Sequence, residues 1–318
     1  MRKLVLLFTL STLLLSACTN GKKDAATTSQ QEQSISLGMM PTLDGLPFII
    51  AEKQGIYDSL GLDVNIVYFN SANDRDASLQ SGQIDGGVTD YTSAAVLQAH
   101  HTSLAIIMKN DGYFCFIVAK QSGINNRKQL KTKNIAVSRN TVVEYATDLL
   151  LEQAGIAMNE VNKPEIGEIP LRLQMLQYGQ VDASFLPDPL ASIAMNGGNK
   201  SLISTRELGI HLTGTAFSEK ALKEKGEPIS RLVMGYNLAI EYMRIHPLEE
   251  WKQVLTEELG VPETLTGLIA LPPYEQAARP AKADIASAIA WLKAQGRIPK
   301  SYQGLNLVDT TYTTTKPL

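Results

Sequence analysis

The sequence predicts an α/β protein of two open lobes, and three observations predict it: a duplicated pair of short motifs, an alternation of short apolar strands with helices, and a length beyond one core. Leu79-Gln80-Ser81-Gly82-Gln83-Ile84-Asp85 recurs as Leu176-Gln177-Tyr178-Gly179-Gln180-Val181-Asp182. Upstream of these copies, Glu52-Lys53-Gln54-Gly55-Ile56 matches Glu152-Gln153-Ala154-Gly155-Ile156. Two elements repeated in the same order, about a hundred residues apart, indicate duplicated architecture rather than chance. The folded part runs from Ser34 onward, longer than a usual single core supports.

Residues 1–17 read as a processing signal. Arg2 and Lys3 precede an apolar run, Leu4 to Leu15, that is too short to span a bilayer as a mature helix. Leu15-Ser16-Ala17-Cys18 has the pattern of a bacterial lipoprotein signal, with small residues for the peptidase and the Cys18 thiol for the lipid. Two acyl chains on Cys18 would anchor the protein stably, where one would be marginal. Residues 18–33 are the lipidated cysteine and a polar stretch without periodicity, a flexible tether.

Beyond the tether, Ile35 to Met39, Val64 to Phe69, Ala105 to Met108 and Ile135 to Val137 read as strands. In each repeat copy Leu-Gln-x-Gly closes a helix, the glycine being free to take the left-handed cap conformation. Ile84 to Val88 and Val181 to Leu186 follow as short buried strands. Each runs into a polar loop, Thr89-Asp90-Tyr91-Thr92-Ser93 or Pro187-Asp188-Pro189, that opens a further helix. Such alternation implies parallel strands with helices on both faces. Ligands of open α/β lobes sit outside the carboxyl ends of the strands, where helix N-termini offer unpaired N–H groups. Two facing rims of this kind make a cleft that closes on a small molecule.

The formal charge is −3, and −5 without Arg2 and Lys3. No basic block follows the tether, which excludes nucleic acid as a partner. Besides Cys18 the only cysteine is Cys115, in the apolar run Tyr113 to Val118, where it reads as a small core residue; no disulfide framework exists. His100 and His101 are adjacent at a helix end, so they point apart, and no nearby cysteine completes a metal spacing. His211 and His246 are isolated in sequence. The chain carries no glycine-rich phosphate loop, nucleophile elbow or recognisable paired acid–base motif, so neither catalytic residues nor a metal or other cofactor are expected. Asp85 and Asp182 are repeat-equivalent and end strands; Trp251 and Trp291 fall in apolar helical patterns and read as packing.

Leu46-Pro47-Phe48-Ile49-Ile50-Ala51-Glu52-Lys53-Gln54-Gly55-Ile56-Tyr57, then Gly61-Leu62-Asp63-Val64, Ser81-Gly82-Gln83-Ile84-Asp85 with Thr89-Asp90, Gly123-Ile124, Leu130-Lys131, Gly179-Gln180-Val181-Asp182-Ala183 and Leu307-Val308-Asp309 stand in an order that resembles a known family. It is the sulfonate/nitrate/taurine and thiamine-pyrimidine class of periplasmic substrate-binding proteins, and the resemblance covers nearly all of Ser34 to Tyr312. The resemblance implies a type II periplasmic-binding-protein fold, with lobe one at 34–118 plus 216–318 and lobe two at 119–215. The chain would cross near Val118 to Ser122 and return near Thr213 to Ser218. Ile229 to Met243, before His246-Pro247, would be the helix after the return. Ala281 to Gln295 fits a final amphipathic helix with Ile285, Ile289 and Leu292 on one face, ended by Gly296 and Pro299.

By the same analogy the ligand contacts come from loops at strand ends. Thr42, Asp44 and Leu46 follow the first strand, where Thr42 and Asp44 either face the cleft or cap the next helix. Thr89, Asp90, Tyr91 and Thr92 follow the repeat strand of lobe one, and the Tyr91 ring can lie against a ligand. Ser138, Arg139, Asn140 and Thr141 precede the helix that carries Glu144 and Tyr145; Arg139 is either a fork for carboxylate or sulfonate or a solvated rim residue. Asp188 stands where many relatives carry Trp-Glu-Pro, a departure that removes an aromatic wall and shortens the acid, so the relatives' specificity does not transfer through it.

The implied function is that of an extracytoplasmic solute-binding lipoprotein of an ABC importer. It would be a monomer, held on the cell envelope through Cys18 at the periplasmic face or the outer leaflet of the cytoplasmic membrane. It would capture a small organic solute, an anion of the sulfonate, nitrate or taurine kind or a thiamine-type pyrimidine, and pass it to permease and ATPase subunits. Tyr91, Tyr145 and Asp188 suit the pyrimidine; helix N-termini with Arg139 suit the anion. The alternatives are a lipid-anchored sensor and a pyrimidine-pathway enzyme on the same scaffold. The fungal pyrimidine synthases of that scaffold carry a cysteine-rich motif, whereas Phe114-Cys115-Phe116 here has one cysteine.

Overall fold

The computed structural model describes residues 34–313, so the expected signal, the lipidation site Cys18 and the tether lie outside the described residues. The chain opens with β1 (Ser34–Met39), α1 (Leu46–Lys53), α2 (Ile56–Ser59), β2 (Asp63–Tyr68), α3 (Ala72–Gln80), β3 (Gly86–Asp90), α4 (Tyr91–Ala99) and β4 (Leu104–Lys109). It continues with β5 (Phe114–Val118), β6 (Ile135–Ala136), α5 (Val142–Gln153), α6 (Ile169–Gln177), β7 (Ala183–Pro187), α7 (Leu190–Asn196) and β8 (Lys200–Ser204). The remainder is β9 (Thr213–Ser218), α8 (Glu219–Glu224), α9 (Gly226–Ile245), α10 (Lys252–Glu257) and α11 (Lys282–Ala294). The two repeat copies therefore occupy matching places: α1 and α5 end at one motif, and α3–β3 and α6–β7 are joined by the other.

The repeat is physical as well as sequential. Gly82 and Gly179 close their helices at φ +73° and +68°, a region costly for any residue with a Cβ. Three residues on, Asp85 Oδ2 accepts the Ser36 N–H at 2.8 Å, and Asp182 Oδ2 accepts the Asn134 N–H at the same distance. Each aspartate stands just before its strand, β3 or β7, and ties that start to the parallel neighbour, so the two begin strands rather than end them as the sequence suggested.

Two mixed sheets result, in the orders β2-β1-β3-β9-β4 and β6-β7-β5-β8. Expectation and structure differ here: β9 runs antiparallel to β3 and β4, and β5 runs antiparallel to β7 and β8. Each sheet accepts one strand of chain arriving from the other half, and that chain enters against the local direction. Because β5 pairs within the second sheet, the crossing falls at Asn110 to Tyr113, earlier than Val118 to Ser122. Thr213 to Ser218 are β9 and already pair in the first sheet, so the return lies ahead of Thr213, earlier than expected.

Three apolar clusters fill the molecule. One packs α1, α9 and α10 on the first sheet through Phe48, Ile49, Leu232, Tyr236 and Trp251. A second runs between the sheets, joining Ala94 and Leu292 on the first side to Phe116, Leu150 and Phe185 on the other. A third places Leu176 and Ala191 against Ile117 and Leu186. Full burial of such side chains is worth about 1.5–3 kcal/mol each, enough to fix how the strand ends confront each other. Among the described residues, no helix is long and apolar enough to cross a membrane.

Candidate functional site

The carboxyl ends of the two sheets meet. Across the seam, Leu43 donates its N–H to the Asp188 carbonyl and Ile169 donates to the Asn70 carbonyl, both at 3.0 Å. Two hollows flank these contacts. The larger, of about 180 Å³, lies between α3 (Asn73, Asp76, Gln80), α4 (Ser93, Val96, Leu97) and the turn Arg139-Asn140-Thr141. The smaller, of about 10 Å³, is enclosed by Leu43, Asp44, Gly112, Tyr113, Phe114, Pro187 and Asp188.

The turn after β1 contributes a hydrogen-bonded pair. Thr42 donates its hydroxyl to Asp44 Oδ1 at 2.5 Å, and neither side chain caps α1. Burial pushes the Asp44 carboxyl above the usual carboxylate range, with the Thr42 hydrogen bond partly offsetting it. Leu46 is fully buried at the start of α1, so its part is packing.

After β3, the plain capping account holds for Asp90. Its Oδ1 accepts the Ser93 N–H at 2.9 Å and also the Thr92 hydroxyl, while Oδ2 accepts the Ser93 hydroxyl at 3.1 Å. Thr92 is fully buried, and the Thr89 hydroxyl is buried without a hydrogen-bond partner. Tyr91 turns elsewhere, lining a separate cavity of about 500 Å³ beside Lys109, Arg206 and Arg279.

The turn after β6 is the second-sheet wall of the larger hollow. Thr141 caps α5 by accepting the Val143 N–H at 3.2 Å and donates its own hydroxyl to the buried Ser138's carbonyl at 2.8 Å. Asn140 adopts φ +62°, donates its N–H to Glu144 at 2.9 Å, and leaves its Oδ1 buried and unpartnered. Arg139 is half exposed at the edge of this hollow, and its Nε lies 3.0 Å from Glu165 Oε2. Tyr145 is not brought to this turn: its ring packs edge-on against Trp291, at 5.5 Å and 84°.

Asp188, whose peptide to Pro189 is cis, lies in the smaller hollow with its carboxylate fully engaged. Oδ1 accepts the Ser192 N–H and hydroxyl at 2.9 and 2.8 Å, and Oδ2 lies 3.0 Å from the Tyr113 hydroxyl. Burial, then the Asp188 charge, pushes the nearby Cys115 thiol up to about 11, an unreactive state. Among the described residues no cluster of His, Cys, Asp and Glu is placed to hold a metal ion.

Sequence reasoning missed Asp76, Asn73, Gln80, Ser93 and Tyr113. Asp76 sits within α3 rather than in a loop after a strand, so a search of strand ends passes over it. Arg75, beside it, is almost fully buried and donates to Asp76 Oδ1 from Nε at 2.9 Å and Nη2 at 2.6 Å. Burial raises the Asp76 carboxyl, Arg75 pulls it back, and Asp90 raises it further.

Paired α/β halves with facing strand ends and a strand exchanged into each sheet define a periplasmic-binding-protein fold. The structure of the alkanesulfonate-binding protein SsuA from Xanthomonas axonopodis pv. citri bound to MOPS superposes with a TM-score of 0.71 at 20% identity, over 84% of this chain and 95% of that one. The nitrate-binding protein NrtA from Synechocystis PCC 6803 gives 0.72 at 14% identity, over 85% and 83%. An ABC transporter periplasmic binding protein of Brachyspira hyodysenteriae is 24% identical over 250 residues, 74% of this chain and 71% of that protein. The chain belongs to the NMT1/THI5-like family, whose model matches residues 43–250.

Proposed function

We propose that this protein is the solute-binding component of an ABC importer, lipid-anchored outside the cytoplasm through Cys18, which captures one small organic solute between two lobes and presents it to permease and ATPase subunits. Lobe one is the half built on the five-stranded sheet and lobe two the half built on the four-stranded sheet. The observation that carries this reading is the pair of facing rims, touching at Leu43–Asp188 and Asn70–Ile169 with a hollow of about 180 Å³ beside the contacts. Such contacts are what closure of two lobes would make, and closure around a solute replaces its water with fixed donors and acceptors. The relatives' printed names, sulfonate-, nitrate- and periplasmic binding proteins, support the same reading. Solute contacts come from the Arg139–Thr141 turn at the larger hollow and from Asp44 and Asp188 at the smaller, whereas Tyr91 faces another cavity. The solute is an organic anion of the sulfonate, nitrate or taurine kind, or a thiamine-type pyrimidine.

The way the acids are used supports binding without turnover. Asp90 and Asp188 are committed to helix caps, and Cys115 is a buried, protonated thiol. The test is native mass spectrometry of the purified lipoprotein, followed by calorimetry and X-ray scattering with the solute it carries. One-to-one saturable binding with compaction of the particle is expected. Release of a chemically altered solute, or saturation with no change in scattering, would overturn the reading.

A further inference from the structure

The two halves also meet away from the strand ends, where one face of α5 lies against α11 and the turn that follows it. We infer that Glu144 is a positioning residue for the turn Arg139–Thr141, held in place by a clasp in which Glu144 and Asp148 of one half grip Arg297 and Trp291 of the other. In the solute-capture reading, on which this rests, the wall of the larger hollow then takes its working shape only while the halves are clasped.

The turn needs an outside anchor. Asn140 sits at φ +62°, a left-handed conformation that residues with a Cβ adopt only at some cost. Its N–H is donated to Glu144 Oε2 at 2.9 Å, from one helical turn further along the chain. Glu144 is itself 4% exposed, so its carboxylate has little water to satisfy it. The other oxygen, Oε1, lies 3.5 Å from Arg297 Nη2 and 3.7 Å from Lys163 Nζ. One oxygen thus holds the turn while its partner faces the other half.

One turn along α5, Asp148 extends the contact. Its Oδ1 pairs with Lys163 at 2.5 Å, and its Oδ2 accepts the Trp291 indole N–H at 3.1 Å. Between the two acids, the Tyr145 ring meets Trp291 edge-on. Lys163 belongs to the half that carries α5, because Asn162 and Pro164 on either side accept the N–H groups of Ile135 and Val137. Trp291 and Arg297 belong to the other half. Their helix, α11, packs along α4, and the His100 ring at the end of α4 lies 3.2 Å from the Arg297 carbonyl. Beneath the polar groups, Val143, Ala146 and Leu150 share one apolar cluster with Ala288, Leu292 and Ile298.

The two acids depend on the other half to different degrees. Asp148 keeps Lys163 at 2.5 Å whatever α11 does, so its charge is matched within its own half. Glu144 lies 3.7 Å from the same ammonium, beyond hydrogen-bond range, and its second cation is Arg297. A buried carboxylate left without its cation gains by turning toward water, and turning releases the Asn140 N–H. Any motion that draws α11 from α5 removes Arg297 and Trp291 together, since six residues separate them. The position of one half is thereby relayed to a turn on the other through a single side chain.

The experiment is amide hydrogen exchange of the intact protein, read residue by residue by NMR, with X-ray scattering of the same solute-free samples. The variants are Arg297→Gln, Arg297→Lys and the pair Arg297→Gln with Trp291→Phe. Arg297→Gln should speed exchange at Asn140 about 10-fold, although Arg297 makes no hydrogen bond to the turn among the described residues. Arg297→Lys should restore most of the protection, because it returns the charge. The melting temperature of Arg297→Gln should hold, since the Arg297 side chain is 34% exposed. The paired variant should show a larger radius of gyration than the wild type. Wild-type exchange at Asn140 in Arg297→Gln, or faster exchange spread over all of α5 with a lower melting temperature, overturns the positioning role. An unchanged radius of gyration in the paired variant overturns the clasp. These readouts need no solute, whereas the capture reading fails on saturation of the wild type without compaction, so the two failures are separable.

Discussion

Asp44 is an acid that the fold holds in the wrong medium. Burial raises its carboxyl above the ordinary value near 4, and a single hydrogen bond from Thr42 does not restore it. The folded chain therefore keeps the proton over a range of pH in which the unfolded chain has released it. Stability linked to this group is complete below the unfolded value and is lost as pH rises through the folded one. Asp44→Asn cannot ionise, and its amide oxygen still accepts from Thr42. Its melting temperature should exceed that of the wild type at pH 7 and converge with it near pH 4; a gap that widens toward acid would refute the burial account. Asp44, Asp90 and Asp188 were all legible as rim residues, because strand ends are visible in the pattern of apolar runs. Which carboxylate was already spent was not legible. That depends on whether Ser93, Ser192 or Tyr113 comes within hydrogen-bond reach, a matter of three-dimensional approach rather than spacing.

At the level of elements the repeat carries information that single motifs lack. Leu-Gln-x-Gly marks a helix end in both copies, and both glycines take the left-handed conformation that such an end demands. Their surroundings differ, however. A Cβ on Gly82 would meet nothing within 4 Å, whereas one on Gly179 would fall 2.1 Å from the Gln121 side-chain nitrogen. Gly82→Ala should cost about 1 kcal/mol in urea unfolding, the price of the backbone conformation alone. Gly179→Ala should cost more, and Gly179→Ala combined with Gln121→Ala should bring it back to the Gly82→Ala value. Equal costs for the two single variants would show that Gln121 yields freely. Strand directions were the part of the elements that the sequence concealed. An α/β alternation implies parallel neighbours, but β5 and β9 are laid into sheets whose other members lie far away in sequence. Nothing in a local apolar run records which sheet it will join.

For the whole molecule, the decisive question is whether the seam opens. Gly167 faces α3 across it, and a Cβ built there would lie 3.8 Å from the Ser71 Cβ, inside the range of about 3.5–4.5 Å that a disulfide spans. Ser71→Cys with Gly167→Cys should therefore oxidise readily and hold the two lobes together, at the modest cost of the Ser71 cap on α3. Cys115 is buried and its thiol protonated, so it does not compete for the new bridge. If solute enters only through an open seam, the oxidised variant should neither load an empty cleft nor release a filled one on the timescale of the wild type, and reductant should restore both rates. Stopped-flow exchange of the co-purified solute measures this directly. Unchanged exchange in a fully bridged protein would mean that the hollow communicates with solvent without lobe motion, and the touching rims would then be a fixed interface rather than the closed state of a clamp.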